Sequence, residues 1–155
     1  MAAVAHARET IRKAVKTAVT SLTTTGANVA TGVVSVYDPD DLPALSIMVA
    51  RDAEEALEFE TMGGLVVRNL TVIIEGRALQ DSDTDGATED TLDDISVEVE
   101  TAMMTNATLL GKVYDLQLET TEIELDGSGE TPIGIVRMTW AISYRATSTA
   151  PTVPV

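Results

Sequence analysis

Cysteine is absent from this 155-residue chain, which excludes a disulfide framework, thiol catalysis and Cys-ligated zinc or iron–sulfur centres. Aromatic residues make up only 3% of the chain and lie far apart, so there is no dense stacking platform for single-stranded nucleic acid. Basic residues are also few, because ten Lys and Arg stand against 25 Asp and Glu, a formal net charge of −15. Such a surface repels the phosphate backbone, and we therefore predict no tight nucleic-acid binding.

Long hydrophobic runs are missing as well. No apolar stretch approaches the roughly 18 residues that a membrane-spanning helix needs, and the amino terminus lacks a signal-peptide core. The sequence therefore predicts a soluble protein with no membrane partner. Apolar residues make up 45% of the chain, enough for one core, and the length is typical of one domain. We expect a single domain over residues 1–146 and a flexible Ser/Thr/Pro-rich tail over 147–155.

Catalytic machinery is sparse in this sequence. The only histidine, His6, lies at the frayed beginning of the first predicted helix, which makes it a poor general base. Gly63-Gly64 and Gly127-Ser-Gly129 do not precede helices, so neither is typical of a phosphate-binding loop. No carboxylate pair stands out from the general acidic charge. We therefore predict that the protein is not an enzyme and needs no cofactor.

Apolar residues at helical spacing predict two amphipathic helices, from about Val4 to Thr24 and from about Thr88 to Met104. The first helix has a basic opposite face, which is either a solvated surface or a docking site for an acidic partner. The second begins with acidic residues, where the helix dipole favours them. Val97 and Met104 lie together on its otherwise polar side. They form either a contact within the monomer or a subunit interface.

Alternation of apolar and polar residues predicts five strands, near Val34–Tyr37, Leu45–Val49, Leu65–Leu79, Leu116–Leu125 and Val136–Arg145. Glycine at position 76 is expected to allow a bend or bulge in the third strand. A slip in the alternation within residues 119–122 predicts a bulge in the fourth. The order of helix, three strands, helix and two strands predicts an α+β fold, in which a mainly antiparallel sheet of about five strands packs with two helices.

An acidic segment from Asp52 to Gly64 has weak periodicity, and we expect it to leave the sheet as an excursion. Arg68 interrupts the apolar face of the third predicted strand. It either marks the point where the strand leaves the core or forms an ion pair with the acidic excursion.

A second acidic segment places Asp81, Asp83 and Asp85 at alternate positions before a glycine, which is how a calcium-binding loop opens. The match is incomplete, because Leu92 occupies the position of the bidentate Glu and a strand precedes the loop. The three carboxylates therefore indicate either a weak metal site or a solvated acidic turn that caps the next helix.

Several segments carry a family resemblance. They are Leu92–Ile95 (LDDI), Glu100–Met103 (ETAM), Leu109–Val113 (LLGKV), Leu116–Glu124 (LQLETTEIE), Asp41–Leu45, Arg68–Ile74 and the last strand ending in Tyr144. In this series, which covers about Val4 to Ala146, the chain resembles the tail terminator (minor tail) proteins of long-tailed bacteriophages.

The resemblance implies a ring, commonly a hexamer, that caps the completed tail tube, stops its polymerisation and offers a joining surface to the head–tail connector protein. Its partners would be copies of itself, the tail tube protein and the connector, with DNA passing through the lumen without specific binding. It would lie at the head-proximal end of the virion tail after assembly in the host cytoplasm. The family has no catalytic residues, so our candidate contact residues follow from position: Arg51, Arg68, Val97, Met104 and Gly127.

Three alternatives remain open at the level of sequence. A head-closure (neck) or tail-tube subunit belongs to the same assembly, and a tube subunit would polymerise into long cylinders on its own. A calcium-dependent binding module would use Asp81, Asp83 and Asp85. A small hydrolase would need a deep pocket that holds perturbed carboxylates.

Overall fold

The computed structural model describes residues 6–32, 42–59, 65–79, 86–106, 113, 115–126, 132–147 and 150–154, with the backbone alone for 50–59, 65, 126, 147 and 150–154. Two helices and six strands make up these residues. They are α1 (Ala7–Val19), β1 (Val29–Thr31), β2 (Ala44–Phe59), β3 (Leu65–Leu79), α2 (Ala87–Thr105), β4 (Asp115–Asp126), β5 (Ile133–Thr147) and β6 (Ala150–Pro154). The predicted α+β class is confirmed.

The strands form one sheet in the order β1-β2-β3-β5-β4, and β6 pairs with β5 beside that path. All pairs are antiparallel except β1 with β2, which run parallel. The first predicted strand, 34–37, lies outside the described residues. The strand that the structure places before β2 is β1, whose Val29 pairs with Leu45.

Both helices pack on one face of the sheet, which we call the helix face. Apolar residues of the helices and of the central strands form one buried cluster there. The alternation predicted for the last strand is confirmed, since every second residue of β5 from Val136 to Tyr144 is at most 1% exposed. α1 is shorter than predicted and ends at Val19, because Thr20 leaves the helical conformation and Ser21 has a φ of 66°.

Gly76 does not mark a bulge, which was one of the two alternatives expected from the sequence. The register between β3 and β5 runs without interruption from Leu65 to Leu79. The glycine serves close packing instead, because a Cβ at this position would lie 2.7 Å from Ile95 Cγ2 of α2. Gly134 of β5 has the same role under Thr88, because a Cβ at this position would lie 2.7 Å from the Thr88 methyl group. Two glycines therefore let α2 approach the sheet.

The acidic segment that begins at Asp52 is not an excursion as far as the structure describes it. β2 continues through Phe59 and pairs with β3 along this length. Two register shifts, between Val49 and Glu54 and between Ala56 and Glu58, explain the weak periodicity, because each bulge changes which residues share a face. Residues 60–64 lie outside the described part of the chain.

The bulge predicted in β4 is confirmed. Leu118 pairs with Trp140 and Thr120 with Thr139, so Glu119 is the extra residue. The bulge changes the phase of the strand, and Ile123 and the residue two positions later come into register with the buried face of β5.

The segment expected to be a loose tail contains a short strand. Residues 150–154 form β6, in which Pro154 pairs with Ala146 and Ala150 with Thr147. Ala146 also pairs with Val66 of β3, so β6 occupies the same edge of β5 as β4 does, beyond the residues that β4 covers. Proline has no N–H group, and it is tolerated on such an edge because backbone groups that point away from the sheet need no partner strand.

Among the helices described here, none is both long enough and apolar enough to span a bilayer.

Candidate interaction surfaces

The exposed side of α1 is basic. Arg8, Lys13 and Lys16 are exposed, Arg12 is half-buried, and Glu9 is the only acidic residue of the helix. Lys13 donates a hydrogen bond to Glu9, and this bond together with the lysine charge lowers the pKa of the Glu9 carboxyl. With four basic residues and one acidic residue, α1 has a net charge of +3 in a chain whose total is −15.

His6 begins this helix as its N-cap. Its ring Nδ1 accepts a hydrogen bond from the backbone N–H of Arg8 at 3.1 Å. The imidazole therefore satisfies one of the N–H groups that a helix leaves unpaired at its start.

The exposed side of α2 is acidic and carries two large apolar residues. Its exposed acidic residues are Glu89, Asp90, Asp93, Asp94 and Glu100. Between them, Val97 is 64% exposed and Met104 is 55% exposed. The described parts of the monomer bury neither side chain, so Val97 and Met104 stay predicted residues of a subunit interface.

A groove of about 320 Å³ lies between α2 and the loop that follows α1. Leu22, Val97 and Ala102 supply its apolar lining. The loop is held in shape by two backbone hydrogen bonds, from Ser21 N–H to the Gly26 carbonyl and from Gly26 N–H to the Leu22 carbonyl, both at 2.8 Å. These bonds fix the shape of one wall of a groove that is shallow and open to solvent.

Glu98 of α2 connects the helix to this loop through two hydrogen bonds. One carboxylate oxygen accepts from the Thr24 backbone N–H at 3.1 Å, and the other accepts from the Thr24 hydroxyl at 3.0 Å. The two bonds join segments 74 positions apart in the sequence. They set the distance between the two walls of the groove.

Replacing Glu98 by alanine is expected to lower the free energy of unfolding by about 1 kcal/mol, because two part-buried hydrogen bonds are lost and the Thr24 N–H stays without an acceptor. Urea denaturation measures this change, and hydrogen exchange at the Thr24 amide should become faster. Glu100→Ala is the matched control, since Glu100 is exposed on the same helix and should change stability by less than about 0.5 kcal/mol. Equal effects of the two substitutions would contradict the role of Glu98.

The last strand of the sheet presents a second surface, the β4 strip, which we define as Ile123 and Leu125 of β4. Glu122 and Glu124 alternate with these residues and point to the opposite face of the sheet. Ile123 is 49% exposed and Leu125 is 43% exposed, although both lie in register with buried positions of β5. They are accessible because α2 packs over β3 and β5 and leaves β4 beyond its cover. The strand contains no basic residue, and its acidic residues are Asp115, Glu119, Glu122, Glu124 and Asp126.

The groove and the β4 strip are separate surfaces of the monomer. The loop that follows α1 and the helix α2 form the walls of the groove, whereas β4 is the terminal strand of the sheet order beyond β5. α1 itself contacts β1, β2 and β6, and β6 lies on the β4 side of β5, so the basic helix is not confined to the end of the sheet opposite β4.

A compact ion-pair network occupies the opposite face of the sheet, which we call the second face. Glu75 of β3 is only 3% exposed and accepts hydrogen bonds from Arg77 Nε at 2.8 Å and from Arg137 Nη2 at 3.1 Å. Arg137 also lies 3.9 Å from the exposed Glu122. Two positive and two negative groups balance in this network, which includes Glu122 of β4.

No protein-family model matches the chain, and no curated protein sequence matches it.

The candidate contact residues predicted from the sequence have different outcomes. Val97 and Met104 are exposed and lie on the α2 surface. Arg51 lies in the first bulge of β2, where only the backbone is described. Arg68 is half-buried and stands in register with Ala56 of the acidic part of β2, so the backbone is compatible with the predicted ion pair. Gly127 lies outside the described residues.

The candidate metal ligands Asp81, Asp83 and Asp85 also lie outside the described residues. Within the part of the chain that the structure describes, no three His, Asp or Glu side chains are grouped closely enough to hold a metal ion. The calcium interpretation therefore stays a prediction from the sequence.

Sequence reasoning missed the groove and the β4 strip. The sequence pattern predicts Leu22 within the first helix, and its place in a loop depends on the early helix end at Val19. The phase slip in β4 was visible in the sequence. That Ile123 stays exposed could not be read from it, because exposure depends on how far α2 reaches across the sheet.

Proposed function

We propose that this chain is a ring-forming structural subunit of the phage tail terminator type, which caps the tail tube and joins it to the head connector protein. The proposed family follows from the sequence resemblance over residues 4–146. The observation that carries the proposal is the presence of two separate, partly apolar exposed surfaces, one at the groove beside Val97 of α2 and one at Ile123 and Leu125 of the edge strand β4. A subunit that contacts its neighbours through two different surfaces builds rings or filaments.

The net charge supports assembly on a template. Copies that each carry −15 repel one another in dilute solution, so the free subunit has little tendency to close into a ring. A tube end that binds neighbouring copies side by side raises their effective concentration and favours closure. An acidic lumen would also let DNA pass, because it offers few of the cationic contacts that hold phosphates.

This proposal assigns a role in assembly and no catalysis. Its partners are further copies of the chain, the tail tube protein and the head connector. The place of action is the head-proximal end of the virion tail, after assembly in the host cytoplasm.

Adding the purified protein to polymerising tail tube subunits of the same virion is expected to shorten the tubes, because a cap on the growing end blocks further addition. Electron microscopy measures the length distribution and shows whether a discrete ring lies at one end. An unrelated protein of similar net charge is the control for nonspecific effects. Unchanged tube lengths would remove the terminator function, and long cylinders formed by the protein alone would make it a tube subunit.

A further inference from the structure

We propose that the outer edge of β4 binds a strand of another protein, an extended segment in which basic residues alternate with apolar residues. The site is the stretch Glu119–Leu125, and the added strand lies beside it in the plane of the sheet. This inference goes beyond the ring proposal and does not rest on it, because it needs only the edge strand of one monomer. The β4 strip stays open on the helix face to a neighbouring copy, because the added strand lies beside it and not over it.

The main chain of β4 has one unused edge. Within the part of the chain that the structure describes, β4 pairs with β5 alone and ends the sheet order. All seven residues from Glu119 to Leu125 are exposed, so no described segment lies over this length of the strand. The outward N–H and C=O groups of such an edge form a template on which an extended segment of another chain pairs.

The side chains of β4 select the kind of strand that pairs there. Glu122 and Glu124 point to the second face, where they stand in register with Arg137 and Ile135 of β5, whereas the β4 strip points to the helix face. Residues directly opposite on adjacent strands attract when their charges are opposite or when both are apolar. An added strand is therefore favoured when its second-face residues are Lys or Arg and its helix-face residues are apolar.

The carboxylates of β4 are accessible to such a strand. The neighbour of Glu124 across β5 is the apolar Ile135, and no described cation forms an ion pair with Glu124. Glu122 lies 3.9 Å from Arg137 but is 68% exposed, so it too can meet a cation on its outer side. Lys or Arg residues of the added strand would therefore gain ion pairs that β5 does not already supply.

A second copy of this chain is a poor source of the added strand. The other open edge of the described sheet is β2 beyond Val49, because β1 pairs only with Leu45–Ile47. Residues 50–59 of that strand include four acidic residues and one basic residue. Pairing this stretch with β4, or pairing two β4 strands, would place like charges opposite one another. The acidic edge thus disfavours self-association and favours a basic strand of a different protein.

Synthetic peptides of seven residues test the edge site on the purified full-length protein. The probe alternates four lysines with three valines, and the control has the same residues in two blocks. Fluorescence anisotropy of labelled peptides measures both dissociation constants. We expect the alternating peptide to bind about tenfold more tightly, a difference of about 1.4 kcal/mol, because only this order places both kinds of side chain on the matching faces. The same peptide with every main-chain nitrogen methylated keeps its charge and should lose binding, because it cannot donate hydrogen bonds to the edge.

A charge swap locates the bound peptide on β4. Glu122→Lys combined with Glu124→Lys should weaken binding of the alternating lysine peptide about tenfold, and an alternating glutamate–valine peptide should bind this variant about tenfold more tightly than the natural protein. Asp93→Lys combined with Glu100→Lys is the matched control, since both residues are exposed on α2 and the net charge changes equally. The control should change either dissociation constant by less than about twofold. Circular dichroism checks that each variant is folded, and hydrogen exchange within Glu119–Leu125 should become slower when the peptide is bound.

Three results would overturn the edge site. Equal binding of the alternating and block peptides would show attraction to the total charge of −15 alone. Equal effects of the two double substitutions would place the peptide elsewhere, and no binding at millimolar peptide would leave the acidic edge as a device that only keeps copies apart. The ring proposal fails separately, because selective peptide binding without any change in tube length would keep the edge site and remove the terminator function. Shortened tubes without selective binding would do the reverse.

Discussion

Gly76→Ala is expected to lower the free energy of unfolding by about 2 kcal/mol, because the added methyl group overpacks the contact between β3 and α2. The new Cβ would lie 2.7 Å from Ile95 Cγ2 and 3.0 Å from Val136 Cγ1, and both neighbours are themselves buried. The φ of Gly76 lies outside the left-handed region, so the backbone accepts alanine and the packing decides the sign. Urea denaturation followed by circular dichroism measures the change.

A double-mutant cycle identifies the cause of this effect. Ile95→Ala removes the methyl group that the new Cβ would meet, so the penalty of Gly76→Ala should fall by more than half in that background. Gly134→Ala should behave like Gly76→Ala, because its Cβ would lie 2.7 Å from Thr88 Cγ2. If Gly76→Ala instead stabilises the protein, as alanine does at unhindered positions, the close approach of α2 is wrong.

Glu75→Gln is expected to lower the free energy of unfolding by about 2 kcal/mol, because two guanidinium groups lose the buried carboxylate that separates them. Glu75 is 3% exposed and is hydrogen-bonded by Arg77 and Arg137, whose side chains are 20% and 40% exposed. The partial exposure of the arginines screens their repulsion and keeps the effect below that of a fully buried pair. Thermal and urea denaturation at neutral pH measure it.

The control for this prediction uses the same arginine. Glu122 lies 3.9 Å from Arg137 but is 68% exposed, so Glu122→Gln should change stability by less than about 0.5 kcal/mol. Adding Arg137→Ser to Glu75→Gln should recover part of the lost stability, since one of the two uncompensated charges is removed. Equal losses for Glu75→Gln and Glu122→Gln would show that burial of the network contributes nothing.

The site was only partly predictable. Val97 and Met104 were recognised because an apolar pair stands out on a polar helix side, and exposure of 64% and 55% agrees with a contact surface. The exposure of the β4 strip depends on which strand ends the sheet. Strand order is set by long-range pairing, in which β3 pairs with β5 and leaves β4 at the edge, and local sequence contains no record of that choice.

The prediction that the segment after Asp52 leaves the sheet was wrong, because it followed from the acidic composition of that segment. The segment after Asp52 has the composition of a solvated loop, yet β3 pairs with it on both sides of the second bulge, with Phe59 in register with Val66. Tertiary pairing outweighs local composition here, because main-chain hydrogen bonds to a neighbouring strand do not depend on side-chain polarity.

By itself the sequence determined the two amphipathic helices, the long β3 and β5 strands, the bulge in β4 and the charge imbalance, because each of these depends on residues that are near neighbours in the chain. Only the tertiary structure decided the parallel pairing of β1, the role of Gly76 beneath α2, the burial of Glu75 between two arginines and the separation of the groove from the β4 strip. Those features arise where segments far apart in sequence meet, and the pattern within one segment does not specify its neighbour.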